Sequence, residues 1–162
     1  MMSAMRTFAV LACAWLMAST SAIAESQAVY AISVQPERLI LLDLESRRDG
    51  PDRPVVTMIV INPEPTLIDG RQFQRIDMSV RFDCRARTTQ ILDSAIRTID
   101  GTLLSQRPMN EPAHPILADA HPAVAEPLVC RNEVSPMLEG RVGTLAQHQR
   151  VYFRTLQESA PE

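Results

Sequence analysis

A strict alternation of apolar and polar residues is the clearest pattern in the chain and runs from Phe73 to Cys84. The apolar set is Ile76, Met78, Val80, Phe82 and Cys84. The polar set between them is Arg75, Asp77, Ser79, Arg81 and Asp83. Because successive side chains of a strand point to opposite faces, the pattern predicts a β-strand with Cys84 on the core face and the charges in water.

Three apolar runs rich in β-branched residues precede this segment and predict further strands. They span residues 29–34, 39–44 and 55–61. We expect the first to end before Pro36 and the third at Pro63 and Pro65, because proline cannot donate to a sheet ladder. Asp49-Gly50 predicts a turn after the second.

Residues 88–104 predict a final hairpin closed by the turn Asp100-Gly101. The next stretch, residues 107–127, is rich in proline and predicts a loop, because proline interrupts both helices and central strands. Residues 123–130 favour a short helix that presents Cys130 to the sheet.

The C-terminal extension, residues 131–162, is open to two interpretations. Thr144 and Gln147 have the spacing of a helix capping box, whereas residues 149–155 would also suit an edge strand. We favour a helix. The predicted fold is therefore mainly β (α+β), a single antiparallel sheet of about six strands with a short helix near Cys130 and a C-terminal helix.

The first 24 residues have the features of a cleavable signal peptide. Arg6 precedes an apolar run of about 11 residues, shorter than the roughly 20 that cross a bilayer. An Ala-x-Ala pattern then predicts cleavage between Ala24 and Glu25. An alternative, a lipoprotein that begins at Cys13, would leave an unusually short apolar segment before the cysteine. We expect residues 25–130 to form an exported domain in the periplasm or at the cell surface, without a transmembrane segment.

Cysteine usage supports export. Cys13 leaves with the signal peptide, so the mature chain keeps only Cys84 and Cys130. In an oxidising compartment an even pair predicts a disulfide. The alternative of a metal or redox site lacks the Cys-x-x-Cys spacing that such sites use.

The charge of the chain argues against nucleic acid as a partner. The formal net charge is −3 and the chain contains no lysine. A nucleic-acid binder needs a concentrated cationic face, which is missing here. Arg81, Arg85 and Arg87 predict either a short cationic strip or a solvated face whose charges are balanced by neighbouring aspartates.

Residue patterns that indicate catalysis are missing from the sequence. It has no Gly-x-Ser-x-Gly elbow and no phosphate-binding glycine loop, so we expect neither an enzyme nor a cofactor. The weak candidates for a metal site are His114, Asp119 and His121, whose spacing is looser than that of structural zinc ligands.

One further set of motifs carries a family resemblance. It comprises Leu42-Asp43-Leu44 before Arg48-Asp49-Gly50, the strand from Val55, Val80-Arg81-Phe82-Asp83-Cys84 with Arg85 and Arg87, the Asp100-Gly101 turn, and Leu128-Val129-Cys130. In this order the motifs resemble the surface-adhesin protein E domain family of small exported bacterial proteins. The resemblance covers about residues 29–130. It implies a curved antiparallel sheet with a short helix held against it by the disulfide.

These patterns together predict an exported, non-enzymatic, adhesin-like binding module, with an unidentified protein partner in the envelope or on a host surface. Two alternatives stay open. One is a periplasmic enzyme or metal protein that uses the proline-rich loop. The other is an accessory subunit of an envelope assembly.

Overall fold

The computed structural model of the protein describes residues 28–159. The predicted signal peptide, its cleavage point at Ala24 and Glu25 and the alternative at Cys13 all lie outside the described residues. Within residues 28–159, no helix is long and apolar enough to cross a membrane.

Eight strands and two helices form this part of the chain. The strands are β1 Val29–Gln35, β2 Arg38–Arg48, β3 Val55–Ile68, β4 Arg71–Asp83, β5 Thr88–Arg97, β6 Leu103–Pro108, β7 His114–Pro115 and β8 Val142–Gly143. The helices are α1 His121–Arg131 and α2 Leu145–Ser159. All strand pairs are antiparallel, and the order across the sheet is β6-β5-β4-β3-β2-β1-β8, with β7 paired to β5. The predicted fold class is confirmed.

The central strands are buried on both faces of the sheet. In β2, Ile40 and Leu42 belong to the core on one face, and Leu39 and Leu41 belong to the core on the other. An unbroken apolar run is typical of a strand that is covered on both sides. The sheet therefore needs a layer on each face, and the two helices supply these layers.

Helix α1 packs on the first face. Its buried residues Ala125, Leu128 and Val129 contact the core formed by Val80, Phe82 and their neighbours in the sheet. The predicted disulfide is present between Cys84, just after β4, and Cys130 near the end of α1, with the two Cα atoms 5.6 Å apart. This bond joins the helix covalently to the sheet.

Helix α2 packs on the second face, where Tyr152 is buried beside Leu41 and Ile59. The predicted capping box is confirmed. The Gln147 backbone N–H donates to Thr144 Oγ1 at 3.1 Å, and the Thr144 N–H donates to Gln147 Oε1 at 2.8 Å. Thr144 and Gln147 together satisfy donors that a helix start leaves unpaired. The helical interpretation of the tail is therefore confirmed, and its alternative as an edge strand is wrong.

One prediction based on proline is wrong. Strand β3 continues past Pro63 and Pro65 to Ile68, because the pairing with β4 is irregular between Ile61 and Thr66 and tolerates the missing N–H groups there. The predicted short helix near Cys130 is confirmed, and it begins at His121, within the end of the predicted proline-rich loop 107–127. Pro122 fits the first turn, where N–H groups lack intrahelical partners in any case.

We expect that replacing both Cys84 and Cys130 with serine lowers the free energy of unfolding by up to about 4 kcal/mol, because the bond closes a loop with a sequence separation of 46 residues. Urea unfolding of the mature chain and the double variant measures the difference. Reductant should destabilise the parent and leave the variant unchanged. Equal stability of the oxidised parent and the variant would contradict the expectation.

Alkaline unfolding should report on Tyr152. Burial raises the pKa of Tyr152 above its ordinary value of 10.0, and repulsion from Glu37 adds to this. The unfolded state then loses the phenolic proton first, so the free energy of unfolding should fall as the pH rises above about 10. The absence of lysine makes this range easy to interpret. Urea unfolding at a series of pH values measures the decline.

Tyr152→Phe removes both the titrating group and the hydrogen bond from Tyr152 Oη to the Pro36 carbonyl, 3.1 Å long. We expect a loss of about 1 kcal/mol at neutral pH and a shallower decline in alkali. Tyr30→Phe is the matched control, because it removes the other tyrosine of the chain. The same alkaline slope in both variants would contradict the role given to Tyr152.

Candidate functional site

An apolar cleft of about 270 Å³ lies on the first face of the sheet, beside the beginning of α1. Its floor consists of apolar residues from β2, β3, β4 and β5. They are Ile40, Met58, Val60, Met78, Val80 and Ile91. The strand register brings them together in pairs, Ile40 with Val60, Met58 with Met78 and Val80 with Ile91. Directly paired residues share a face of the sheet, so four strands contribute to one continuous floor.

Residues 109–122 border the cleft on the side of β5, and hydrogen bonds to β5 hold this segment in place. The Met109 N–H donates to the Leu92 carbonyl at 2.8 Å, and the Ile116 N–H donates to the Arg87 carbonyl at 2.9 Å. Between these points Gln90 Nε2 donates to the Glu111 carbonyl at 3.0 Å, and β7 pairs with the start of β5. The proline-rich segment is therefore ordered along the edge of the sheet, beside β5.

The rim of the cleft, defined as Arg38, Glu111, His114 and His121, is polar. Arg38, Glu111 and His114 are exposed, whereas His121 is half-buried at the first residue of α1. No side chain caps this end of the helix in the described structure, and its first turn contains no acid. The aligned peptide dipoles of α1 give this end partial positive charge, while Pro122 has no N–H and the Ala123 N–H donates to the Ala120 carbonyl at 2.9 Å. The rim thus combines one carboxylate with a guanidinium, two imidazoles and the positive end of α1.

The structure brings two of the three candidate metal ligands together. His114 and His121 both line the cleft, whereas Asp119 does not. Across residues 28–159, no three His, Cys, Asp or Glu side chains form a group that could hold a metal ion. The third histidine, His148, lies elsewhere, with its Nε2 2.9 Å from the Val29 carbonyl oxygen.

Sequence reasoning missed the cleft itself and two residues of its rim, Arg38 and Glu111. The alternation in β4 indicated a core face, but it could not indicate which part of that face α1 leaves uncovered. That depends on the strand register and on where the short helix begins. The nearest sequence signal was the presence of Met58 and Met78 at core-facing positions of two neighbouring strands.

The polar side of β4 is not a solvated face, so the prediction that its charges lie in water is wrong for Arg75 and Asp77. Their side chains are only 15% and 13% exposed. Arg75 Nε donates to Asp77 Oδ1 at 2.6 Å, and Arg97 Nε donates to Asp77 Oδ2 at 2.7 Å. Arg97 Nη1 also donates to the Gly101 carbonyl at 2.9 Å. This cluster joins β4 to β5 and to the turn before β6, which is a structural role.

The arginines after Cys84 do not form a continuous strip with Arg81. Arg85 and Arg87 lie in the turn after β4, where Arg87 adopts a left-handed conformation with φ of 51°. Arg85 forms an exposed ion pair with Asp52 at 3.0 Å. Pairs of this kind contribute little to stability, and the predicted strip does not stand out as a site.

A larger depression of about 600 Å³ lies between the β3–β4 turn and β6. Asp69, Arg71 and Arg107 line it together with a few apolar residues. Its lining mixes charges of both signs without a continuous apolar floor. The smaller cleft is therefore the better candidate for a specific ligand site, because such sites combine apolar walls with a few polar groups.

No family model, curated protein or solved structure matches the chain. The resemblance to the surface-adhesin protein E domain family therefore stays a prediction from the sequence.

Asp77→Asn should lower the free energy of unfolding by about 2 kcal/mol, because it removes the charge that two poorly exposed arginines share. Glu64→Gln is the matched control, since Glu64 is exposed, and we expect it to be nearly neutral. Urea unfolding at neutral pH compares the two variants. Equal midpoints would show that the cluster does not support the sheet.

Proposed function

We propose that the protein is an exported, non-enzymatic binding module that takes a small apolar ligand into the cleft. The observation that carries this proposal is the continuous apolar floor, bordered by a segment that hydrogen bonds to β5 hold in place. Val60, Met78 and Ile91 keep part of their surface exposed there although they belong to the core-facing side of the sheet.

Size and composition favour a small molecule over a macromolecule. The cleft volume of about 270 Å³ lies just below the usual range for ligand pockets, about 300–1,000 Å³, and so favours a small ligand. Met58 and Met78 supply flexible, polarisable side chains, which adapt to ligands of irregular shape. Exposed apolar surface surrounded by polar residues is a common feature of binding sites.

Export is supported by two observations of different kinds. The Cys84–Cys130 disulfide fits an oxidising compartment, and the N-terminal sequence has the pattern of a signal peptide. We propose the periplasm or the cell surface as the location. The resemblance to the surface-adhesin protein E domain family agrees with this location and with a binding role.

The proposal of an enzyme or metal protein that uses the proline-rich segment receives less support. Thr89 and His114 are cross-strand partners and both line the cleft. A nucleophile and its base have to be within hydrogen-bond reach, but no hydrogen bond joins these two side chains in the part of the chain described. A binding role uses the apolar floor directly, so we prefer it.

Filling the cleft should weaken binding of an apolar ligand. We expect the neutral apolar fluorophore N-phenylnaphthylamine to bind the mature protein saturably. Val60→Phe places a ring over the floor and should weaken this binding at least about tenfold, or about 1.4 kcal/mol. Leu103→Phe is the matched control, because Leu103 is exposed on β6 and does not line the cleft. Fluorescence titration measures all three proteins.

Methionine methyl resonances give an independent readout. Titration with the fluorophore should shift the signals of Met58 and Met78 and leave that of Met137, which is 63% exposed and does not line the cleft. Unsaturable fluorescence in the parent, or equal affinity in the two phenylalanine variants, would refute the proposed function.

A further inference from the structure

We infer that the cleft selects a single-tailed amphiphile with an anionic head, whose tail lies on the floor and whose head lies at the rim. This inference rests on the proposed function and adds the chemical class of the ligand. The position of the charged side chains relative to the apolar floor supports it.

The apolar floor of the cleft determines which kind of ligand tail can bind. Ile40, Met58 and Val60 lie on one side of the cleft, and Met78, Val80 and Ile91 lie on the other. None of these side chains donates or accepts a hydrogen bond, so a polar group placed among them would lose its water without compensation. A hydrocarbon chain has no such cost. The volume of about 270 Å³ suits one short chain rather than the two long chains of a phospholipid.

The polar rim of the cleft determines which charge the head group of the ligand should carry. Arg38 makes no ion pair or side-chain hydrogen bond within the described residues, so its planar guanidinium is free to bind a carboxylate or phosphate with two hydrogen bonds. Glu111 lines the same cleft but does not pair with Arg38 in the described structure. The single carboxylate therefore offsets one positive charge at most.

The remaining groups at the rim also favour an anion. Helix α1 begins there without a side-chain cap and without an acid in its first turn, and a helix start of this kind favours negative charge. The imidazoles of His114 and His121 lie at the same rim and can donate hydrogen bonds to an anionic head. With Arg38 and Glu111, these imidazoles complete the ionisable side chains that line the cleft.

Three ligands with the same tail and different head groups test which head-group charge the cleft prefers. They are octanoate, octanol and octylammonium, used below their micellar concentrations to displace N-phenylnaphthylamine from the mature protein. We expect octanoate to bind about tenfold more tightly than octanol, because a charge-assisted, two-point contact is worth about 1.4 kcal/mol or more. Octylammonium should bind most weakly.

Two variants test whether Arg38 is the side chain responsible for the preference for an anionic head group. Arg38→Gln should reduce the affinity for octanoate about fivefold and leave that for octanol unchanged, because it removes only the charge at the rim. Arg47→Gln is the matched control, since Arg47 is exposed on the same strand and does not line the cleft. It changes the net charge equally and should have no effect.

The outcomes separate this inference from the function it rests on. If the fluorophore does not bind saturably, the proposed function fails. If the fluorophore binds and the three ligands displace it equally, or Arg38→Gln acts on octanol as much as on octanoate, the cleft binds ligands but its anionic selectivity is refuted. Co-sedimentation with phosphatidylglycerol vesicles, combined with no response to free octanoate, would instead show a membrane surface to be the partner and overturn the inference.

Discussion

The covalent bond between Cys84 and Cys130 is the constraint on which the first face of the sheet depends. Helix α1 has only 11 residues and contains Pro127 in its interior, and helices of this length are marginal in isolation. Proline also removes one backbone hydrogen bond. The helix is therefore maintained by packing and by its attachment to the end of β4. Since His121 and Pro122 at its beginning line the cleft, the shape of the cleft depends on the same bond.

The two helices differ in a way that creates the cleft. Helix α2 has 15 residues, a reciprocal cap and the buried Tyr152, and it completes a closed core on the second face. Helix α1 is shorter and begins part of the way across the sheet, so apolar residues of β3, β4 and β5 stay half-buried. The proline-rich segment narrows this opening without filling it. The proposed ligand site follows from incomplete coverage of a sheet that is apolar on both sides.

Local patterns predicted most of the fold. The alternation in β4, the Asp100-Gly101 turn, the capping box and the cysteine pair each depend on residues whose spacing is informative by itself. The Arg75–Asp77–Arg97 cluster could not be predicted in this way, because Arg97 reaches Asp77 only through the register of β4 and β5. The cleft was missed for the same reason. His114 and His121 were recognised as chemically interesting, but Arg38 lies more than 70 positions before them.

The outer strands of the sheet carry features that disfavour pairing with a strand of another molecule. An unprotected edge exposes backbone groups that can pair with a second chain and lead to aggregation. Strand β6 ends with Arg107 and Pro108, a charge and a residue without an N–H donor. At the opposite edge, β8 pairs with Val29 and Tyr30, and the Ala31 N–H donates to the Arg141 carbonyl at 3.0 Å. The few residues between the two helices thereby shield the most apolar part of β1 from intermolecular strand addition.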